Sequence, residues 1–352
     1  MKILGIETSC DETAAAVVED GRQLLSNVVA SSMDLHAKYG GVVPEIAARS
    51  HIEAILPVVT QALDDASCGW DDIDGIAVTY GAGLGGSLLI GVLTARTLAI
   101  AHRKPLYAIN HVEAHVYANF LTETSLPGYA MPAKQPEFPM LAVIVSGGHS
   151  QLVLFRGHFD YTILGQTQDD AIGEAFDKVA KMLGLPYPGG PSVAETAKKG
   201  DGQAFLFPKA RMDKYDFSFS GLKTAVLRQA QAQIGESYDF PSTKLPERLS
   251  AGQKADIAAS FQYTAIETVA EKVRVACEEF SPASVVIAGG VAANKELRRQ
   301  LTEVLTLPVF YPDLKLCTDN AAMVATLGGF MAKFGQSEAD PYTLAIEPNL
   351  SM

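Results

Sequence analysis

KILGIETSCDETAAAVVE, residues 2–19, contains two apolar segments separated by a small polar turn. Residues 2–8 and 14–19 have the length and composition of buried β-strands, and residues 9–13 have the short polar side chains of a turn. The Asp20-Gly21 pair that follows is a favoured hairpin dipeptide, so residues 23–30 are predicted to form a third strand. This stretch therefore predicts an antiparallel three-stranded unit at the start of the fold.

The same pattern recurs in the second half of the chain. Strands are predicted at 140–145, 151–155 and 161–165, with a polar turn at 146–149 and a hairpin at 156–160. A helix is predicted after each copy, near residues 44–66 and 170–184. We interpret the repeat as two β-β-β-α halves that face each other across a nucleotide cleft, with the polar turns directed at phosphates. Further alternating strands and helices predict an α/β architecture with mixed sheets.

Two proline-rich segments divide this pattern. Residues 122–139 contain four prolines and are predicted to be a linker or surface insertion. They separate an N-terminal half, residues 1–121, from a C-terminal half, residues 140–352. Residues 185–250 contain six prolines and are predicted to be a helical insertion within the second half.

Composition bounds the class of protein. A hydrophobic fraction of 48% with 19% charged residues describes a globular protein with a large core. No run of about 18 apolar residues is present, and Glu7 interrupts the first apolar segment, so neither a membrane span nor a signal peptide is expected. Four separated cysteines without a Cys-x-x-Cys pair indicate reduced thiols and a cytoplasmic location. Cys10, in the first polar turn, is either a reactive thiol or a small turn residue.

The net charge of −12 argues against nucleic-acid binding by the whole surface. Binding of nucleic acid by a local part of the surface is still open, because one stretch of the chain concentrates positive charge. That stretch is either a basic patch or an ordinary solvated helix and loop. Its cationic residues are Lys198, Lys199, Lys209, Arg211, Lys214 and Lys223.

His111-Val-Glu-Ala-His115 is the strongest candidate for a metal site. Residues four apart lie on the same face of a helix, so His111 and His115 can bind one ion if Asn110 caps a helix here. The alternative is a pair of surface or supporting histidines. Asp319, at a predicted helix start, is either the third ligand or only an N-cap. Two histidines and one carboxylate suit Fe²⁺ or Zn²⁺.

Glu113 bears on whether this site could belong to a peptidase. In zinc peptidases of the His-Glu-x-x-His type the catalytic glutamate directly follows the first histidine. Here Val112 has that position, and Glu113 is one residue further along. The spacing counts against a peptidase, and Glu113 is predicted to lie on the helix surface or to support the ligands from behind.

Three glycine-rich turns are candidates for phosphate binding, because backbone N–H groups can approach an anion where no Cβ intervenes. They are 145–149, Gly189-Gly190 and Gly289-Gly290. Each alone is a weak signal, but three in a repeated frame favour a nucleotide site. Asn294 either contacts a sugar or base edge or is a polar residue at a helix start. Asp177, in a predicted helix, is either part of such a site or an ion-pair partner of a neighbouring lysine.

Together these motifs resemble the tRNA N6-adenosine threonylcarbamoyltransferase family (TsaD/Gcp/Kae), formerly named O-sialoglycoprotein endopeptidases. The similarity covers essentially the whole chain, and the motifs occur in family order. The resemblance implies the actin-like ATPase (ASKHA) fold of sugar kinases, with two ribonuclease-H-like halves. The motifs are GIETSCDET (5–13), HVEAH (111–115), VSGGH (145–149), FDK (176–178), YPGGP (187–191), FSFSGLK (217–223), GGVAAN (289–294) and DNAAM (319–323).

The resemblance implies roles for individual residues. His111, His115 and Asp319 would bind one divalent metal per subunit, Fe²⁺ in first place or Zn²⁺. The residues implied to bind the adenylate are Val145, Ser146, Gly147, Gly148, His149, Asp177, Gly190 and Asn294. Many bacterial members carry a further carboxylate where this chain has Ala194, so no contact is implied there.

The implied reaction moves the threonylcarbamoyl group from threonylcarbamoyl-AMP to N6 of the adenosine 3′ of the anticodon. The substrates are tRNAs that read codons beginning with A, and AMP is released. The implied partners are tRNA, a paralogous actin-like protein (TsaB-like), a small P-loop ATPase (TsaE-like) and the upstream threonylcarbamoyl-AMP synthase. ATP is implied as a second nucleotide. The acidic surface predicts weak tRNA binding by the isolated chain.

Glu12, in the first polar turn, is our candidate for a general base or an orienting group. Three other functions compete with the transferase. A metallopeptidase would explain the two histidines but not the nucleotide turns. A small-molecule carbamoyltransferase would use the same donor without tRNA, and a non-catalytic actin-like scaffold would bind ATP without needing the histidines.

Overall fold

The computed structural model describes the chain from Met1 to Met352, apart from the side chain of Ala37. The strands are β1 (Lys2–Glu7), β2 (Glu12–Glu19), β3 (Gln23–Ser31), β4 (Gly75–Gly81), β5 (Leu106–Asn110), β6 (Glu123–Thr124), β7 (Met140–Val145), β8 (Ser150–Gly157), β9 (Asp160–Gln166), β10 (Ser284–Ala288) and β11 (Val309–Phe310). The α-helices are α1 (Met33–Ala37), α2 (Pro44–Asp65), α3 (Gly85–His102), α4 (His111–Tyr117), α5 (Ile172–Leu183), α6 (Gly189–Ala197), α7 (Ser220–Gln233), α8 (Leu245–Arg248), α9 (Ala251–Phe280), α10 (Lys295–Val304) and α11 (Ala321–Lys333).

The first sheet has the strand order β5-β4-β1-β2-β3-β6. Strands β1, β2 and β3 form an antiparallel meander, and β4 then joins β1 in parallel. Alternate residues of β1 face opposite sides of this sheet. Leu4 and Ile6 belong to a core with α2 and α3, whereas Ile3 and Gly5 approach α11.

The second sheet repeats this topology. Its order is β11-β10-β7-β8-β9. The antiparallel meander β7-β8-β9 corresponds to β1-β2-β3, and β10 joins β7 in parallel as β4 joins β1. Helix α5 follows the second meander, and α1 and α2 follow the first. The repeat confirms the duplication predicted from the sequence and gives the actin-like fold.

The chain divides into two compact units, Met1–Pro136 with Phe310–Met352, and Glu137–Val309. The predicted second half extended to residue 352, but the structure groups the C-terminal segment with the first unit. The cause is the packing of α11 against the first sheet. A Cβ on Gly5 would lie 2.4 Å from the carbonyl oxygen of Ala321, and one on Gly328 would lie 2.5 Å from the Cβ of Ala77.

The proline-rich segment at 122–139 is partly anchored in the first unit. Strand β6 extends the first sheet beside β3. The hydroxyl of Tyr129 accepts a hydrogen bond from the side chain of Asn27 (3.3 Å), and the Lys315 ammonium lies 4.5 Å from the Tyr129 ring centre. In the other proline-rich segment, α6 and α7 pack against α9, and α8 packs against α5.

By length and composition, α3 is long and apolar enough to cross a membrane, and among the described residues it is the one helix that meets this test. Leu88, Val92 and Ala95 of this helix are buried in the first unit, so one face of the helix packs against the core of that unit. Its outer face exposes Leu89, Leu93 and Ile100.

Candidate metal centre and nucleotide-binding turns

Helix α4 begins directly after β5, where Asn110 caps it as predicted. The Oδ1 atom of Asn110 accepts hydrogen bonds from the backbone N–H groups of Val112 (2.9 Å) and Glu113 (3.2 Å). This cap fixes the first turn of the helix. His111 and His115 therefore lie one turn apart on one face, with their ring centres 4.8 Å apart.

Asp319 comes close to both histidines. Its Oδ1 atom lies 3.5 Å from Nε2 of His111 and 3.2 Å from Nε2 of His115. Asn320, rather than Asp319, caps α11, since its side chain accepts from the N–H of Met323 (3.1 Å). The interpretation of Asp319 as only an N-cap is therefore wrong.

The three ligand atoms lie within 4.8 Å of one another. Two imidazole nitrogens and one carboxylate oxygen are donors that divalent transition metals prefer. The residues therefore fit a divalent metal such as Fe²⁺ or Zn²⁺.

Glu7 supports this cluster from behind, and sequence reasoning missed it. Its Oε2 atom lies 3.3 Å from Nδ1 of His111 and accepts a hydrogen bond from the Thr79 hydroxyl (2.6 Å). The Ser9 hydroxyl lies 3.1 Å from the same imidazole nitrogen. A carboxylate behind a histidine fixes the tautomer that presents the other nitrogen to a metal. The only sequence signal was a carboxylate at the end of an otherwise apolar strand.

Charge couples Glu7 to the histidine. Burial opposes ionisation of Glu7, but contact with His111 outweighs it and lowers the pKa of Glu7. Burial likewise disfavours the charged form of His111, yet the carboxylates of Asp319 and Glu7 raise the pKa of His111 to about 9. The pocket thus favours positive charge, as a cation site requires.

Glu12 begins β2 in the same unit. The Ser31 hydroxyl donates a hydrogen bond to its Oε1 atom (3.3 Å). Burial, followed by the nearby carboxylates of Asp319 and Asp11, raises the pKa of Glu12 to about 9. The environment of this carboxyl therefore favours its neutral, protonated form. A base role would require a bound cation to lower this pKa.

Glu113 is not on the helix surface, where one interpretation put it. The residue is only 9% exposed, because α11 packs against α4, and burial raises its pKa to about 7. Within the described part of the chain, its Oε1 atom has no hydrogen-bond partner. Burial raises the pKa of the Cys10 thiol far above the ordinary value, which favours the interpretation of Cys10 as a small turn residue.

In the second unit, residues 145–149 form a tight turn after β7. The N–H of Ser146 donates to the carbonyl of His149 (2.8 Å), and the Ser146 hydroxyl accepts from the N–H of His149 (3.0 Å). A Cβ on Gly147 or Gly148 would meet no atom within 4 Å. The backbone of this turn is therefore open to a ligand.

Gly289 packs against this turn. Its φ is +88°, and a Cβ there would lie 2.6 Å from the carbonyl oxygen of Val145. Glycine is thus required for the two turns to meet. The first helical turn of α5 also reaches this point, because the N–H of Gly173 donates to the carbonyl of Ser146 (3.1 Å).

Asp177, also on α5, holds the third glycine turn. Its Oδ1 atom accepts a hydrogen bond from the N–H of Gly189 (2.7 Å), and Gly190 lies beside open space. Burial raises the pKa of Asp177, against the opposing effect of that hydrogen bond. Lys178, an expected partner of Asp177, pairs instead with Asp170 and Glu174.

Asn294 is the cap of α10. Its Oδ1 atom accepts from the N–H groups of Glu296 (2.9 Å) and Leu297 (3.2 Å), and its Nδ2 donates to Gln262 (3.0 Å). Both ends of this side chain are therefore used within the protein.

The predicted basic stretch is largely neutralised. Four of its lysines pair with carboxylates, and this favours an ordinary ion-paired surface over an open basic patch. The pairs are Lys198–Glu195, Lys209–Glu267, Lys214–Glu279 and Lys223–Asp170.

Comparison with known proteins settles the family. The profile of TsaD, tRNA N6-adenosine threonylcarbamoyltransferase, matches residues 23–326. The chain belongs to this family. A tRNA N6-adenosine threonylcarbamoyltransferase of Thermomicrobium roseum is 51% identical over 95% of this chain and 93% of its own length. One of Dehalococcoides mccartyi is 48% identical over 100% of this chain and 99% of its own length.

Solved structures agree on the fold. HypF of T. kodakarensis superposes with a TM-score of 0.60 at 15% identity, over 95% of this chain and 48% of that one. A full-length HypF superposes with a TM-score of 0.55 at 13% identity, over 96% of this chain and 47% of that one. Family membership confirms the predicted enzyme class, a transferase of the tRNA-modifying type.

Proposed function

We propose that the enzyme transfers the threonylcarbamoyl group from threonylcarbamoyl-AMP to N6 of the adenosine 3′ of the anticodon. The tRNAs are those that read codons beginning with A. The observation that carries the proposal is the convergence of His111, His115 and Asp319 in a member of this family.

The reaction forms one C–N bond and breaks one C–O bond and one N–H bond. The N6 amine attacks the carbamoyl carbon, the bond from that carbon to the phosphate oxygen breaks, and AMP leaves with the electron pair. The proton lost by the amine passes to water. Because adenine N6 is a weak nucleophile and the donor is already activated, the enzyme must orient the reactants and stabilise negative charge.

His111, His115 and Asp319 would hold the metal, Fe²⁺ in first place or Zn²⁺. A divalent ion bound there supplies Lewis-acid stabilisation of developing oxyanions. Glu7 and Ser9 would hold His111 with its proton on Nδ1, which leaves Nε2 free to bind the metal. Glu12 would orient a substrate group through its protonated carboxyl.

The glycine turns of the second unit would bind the adenylate. Open backbone at Gly147, Gly148 and Gly190 supports this role, since N–H groups there can approach phosphate. Val145, Ser146 and His149 shape the first turn. Asp177 holds the turn at Gly190 in place, and Asn294 contributes by fixing the start of α10 beside Gly289-Gly290. The same turns would bind ATP.

A protein partner is supported by exposed apolar side chains on two packed helices. Ile52 and Leu56 on α2, with Leu89, Leu93 and Ile100 on α3, are exposed; we call this set the α2/α3 face. We assign it to the paralogous actin-like partner. The P-loop ATPase and the synthase complete the proposed pathway in the cytoplasm.

tRNA binding by the isolated chain is proposed to be weak. The net charge is −12, and most lysines of the basic stretch are paired with carboxylates. Phosphate contacts dominate affinity for tRNA. Partner subunits would therefore supply much of the binding.

The test is transfer of labelled threonylcarbamoyl from its adenylate to unmodified tRNA, with the partner proteins present. Asp319→Ala should abolish labelling, whereas Asp313→Ala, which removes a carboxylate that caps a neighbouring turn, should retain it. No label with the wild type, given intact adenylate and active partners, would refute the proposal in favour of a small-molecule transferase or a scaffold.

A further inference from the structure

Two histidines outside the metal cluster are fully buried in the first unit. His36, on α1, and His51, on α2, are both 0% exposed. A buried imidazole is costly unless both ring nitrogens are hydrogen-bonded. In each ring both nitrogens have a partner, and the bonds lead to the turn at residues 9–12, which we call the first turn.

We propose that His36 and His51 are positioning residues for the first turn, and through it for His111 and Glu12. This inference rests on the proposed function, because it assigns the two histidines to the same site.

His51 holds the first turn directly. Its Nε2 atom lies 3.1 Å from the carbonyl oxygen of Cys10, and its Nδ1 atom lies 2.8 Å from the Thr13 hydroxyl. A carbonyl oxygen only accepts, so Nε2 carries the proton and donates it. Nδ1 then accepts from Thr13. The Ser87 hydroxyl donates to the same Cys10 carbonyl (3.2 Å).

His36 holds the next residue through a relay. The N–H of Val43 donates to Nδ1 of His36 (3.2 Å), so this nitrogen is unprotonated and Nε2 carries the hydrogen. Nε2 lies 3.1 Å from the Ser32 hydroxyl, which donates to the carbonyl oxygen of Asp11 (2.8 Å). Two successive carbonyls of the first turn are thus fixed by two imidazoles.

The other side of the first turn contacts the candidate site. The Ser9 hydroxyl lies 3.1 Å from Nδ1 of His111, and the Ser9 carbonyl accepts from the N–H of Leu84 (2.8 Å). Glu12 lies where the turn passes into β2, and its Oε1 atom accepts a hydrogen bond from the Ser31 hydroxyl (3.3 Å). A shift of this backbone would therefore move both Ser9 and Glu12 relative to the metal ligands.

The test uses His51→Leu, which keeps bulk but removes the hydrogen bonds, and His51→Gln, which keeps a donor. Val59→Ala is the matched control, because Val59 is a buried residue of the same helix that faces the core. Metal-stripped proteins are titrated with Zn²⁺, and kcat, KM for the adenylate and Tm are measured. His51→Leu should bind Zn²⁺ about 10-fold more weakly, as expected when support of a ligand is lost.

His51→Gln should recover part of the Zn²⁺ affinity. Val59→Ala should lower Tm but leave the Zn²⁺ affinity unchanged. His36→Leu should behave like His51→Leu, since it breaks the relay to Asp11. If a folded His51→Leu protein kept the Zn²⁺ affinity and the kcat of the wild type, the positioning role would be overturned, but the proposed function would not. Absence of Zn²⁺ binding by the wild type would instead refute the metal site itself.

A second measurement does not depend on any variant folding. The ¹⁵N chemical shifts of the imidazoles in the wild-type protein should show His36 and His51 as neutral Nε2–H tautomers. An Nδ1–H tautomer at either residue would contradict the hydrogen bonds and overturn the proposal.

Discussion

At the scale of single residues, Glu7 shows how a buried carboxylate tunes a ligand. It lies behind His111 and also accepts hydrogen bonds from the Thr79 hydroxyl and the Ser9 N–H. The Ser9 N–H contact is short at 2.5 Å. These contacts hold the Glu7 carboxylate beside Nδ1 of His111, while Nε2 of the same ring faces Asp319.

Glu7→Gln is predicted to weaken Zn²⁺ binding about 10-fold, because a neutral amide oxygen stabilises the proton on Nδ1 of His111 less than a carboxylate does. Calorimetric titration of the metal-stripped protein measures this. Glu19→Gln, at the half-buried C-terminal end of β2, is the control and should bind as the wild type does. Equal affinity in Glu7→Gln and the control would show that Glu7 does not support the ligand.

Gly147→Val tests the first glycine turn. No atom lies within 4 Å of a Cβ at this position, so the fold should tolerate the change while the added side chain blocks the adenylate phosphate. KM for the adenylate should rise about 10-fold or more, with Tm within a degree or so of wild type. Gly157→Ala, equally open but remote from the turns, is the control. An unchanged KM would place the adenylate elsewhere.

Local pattern sufficed for some residues but not for others. Asn110, His111 and His115 could be predicted because capping and helical spacing are short-range properties. Glu7 and the burial of Glu113 could not, since their surroundings come from β4, α4 and α11, which are distant in sequence. Asp319 had two local interpretations: the cap that Asn320 makes excludes one of them, and the contact with the histidines that supports the other comes from tertiary packing.

At the scale of elements, the strands of both meanders were predictable from alternating apolar runs and turn residues. The assignment of α11 was not. Its apolar sequence indicates a buried helix, but which sheet it covers is set by glycines on both sides, Gly5 on β1 and Gly328 on α11. That packing delivers Asp319 to the histidines of α4.

Helices α5 and α7 are joined by one carboxylate. Lys178 of α5 and Lys223 of α7 both donate to Asp170. Burial tends to raise the pKa of Asp170, but hydrogen bonds from these lysines outweigh it and lower that pKa. A depressed folded-state pKa contributes stability that is complete above the unfolded-state pKa and is lost as pH falls through the folded-state pKa.

Asp170→Asn is therefore predicted to lower the free energy of unfolding by roughly 1 kcal/mol at pH 7. The expected loss is small because the two lysines are only partly buried. The difference from wild type should shrink as pH falls through the acidic range in which Asp170 becomes protonated. Urea unfolding at a series of pH values measures it, with Asp160→Asn as an exposed control. A difference that stays constant down to the acid limit would contradict the linkage.

At the scale of the whole molecule, composition and the order of the motifs along the chain predicted the class of protein, the fold and the family. No single helix or strand could do so. The ordered motifs agree with the family found by comparison, and the duplicated topology agrees with the predicted fold. The sequence could not indicate that α2 and α3, which both expose apolar side chains, pack side by side.

Leu93→Asp on the α2/α3 face is predicted to weaken binding of the paralogous partner roughly 10-fold or more, because a charge replaces a central apolar contact. Zn²⁺ affinity should not change, since Leu93 faces away from the core. Sedimentation of the mixed proteins measures the complex. Ile100→Asp, nearer the end of the helix, should weaken the complex less. Full complex formation by both variants would show that another partner occupies the α2/α3 face.

The most direct test of the central claim is metal-dependent transfer by the wild-type enzyme. Metal-stripped protein, with partners, labelled adenylate and unmodified tRNA, is titrated with Fe²⁺ or Zn²⁺ beside His115→Ala. Labelling of tRNA should be absent without metal, saturate near one ion per subunit and stay absent in the variant. Full labelling by the stripped wild type, or by His115→Ala, would contradict the claim that these residues hold a metal needed for transfer.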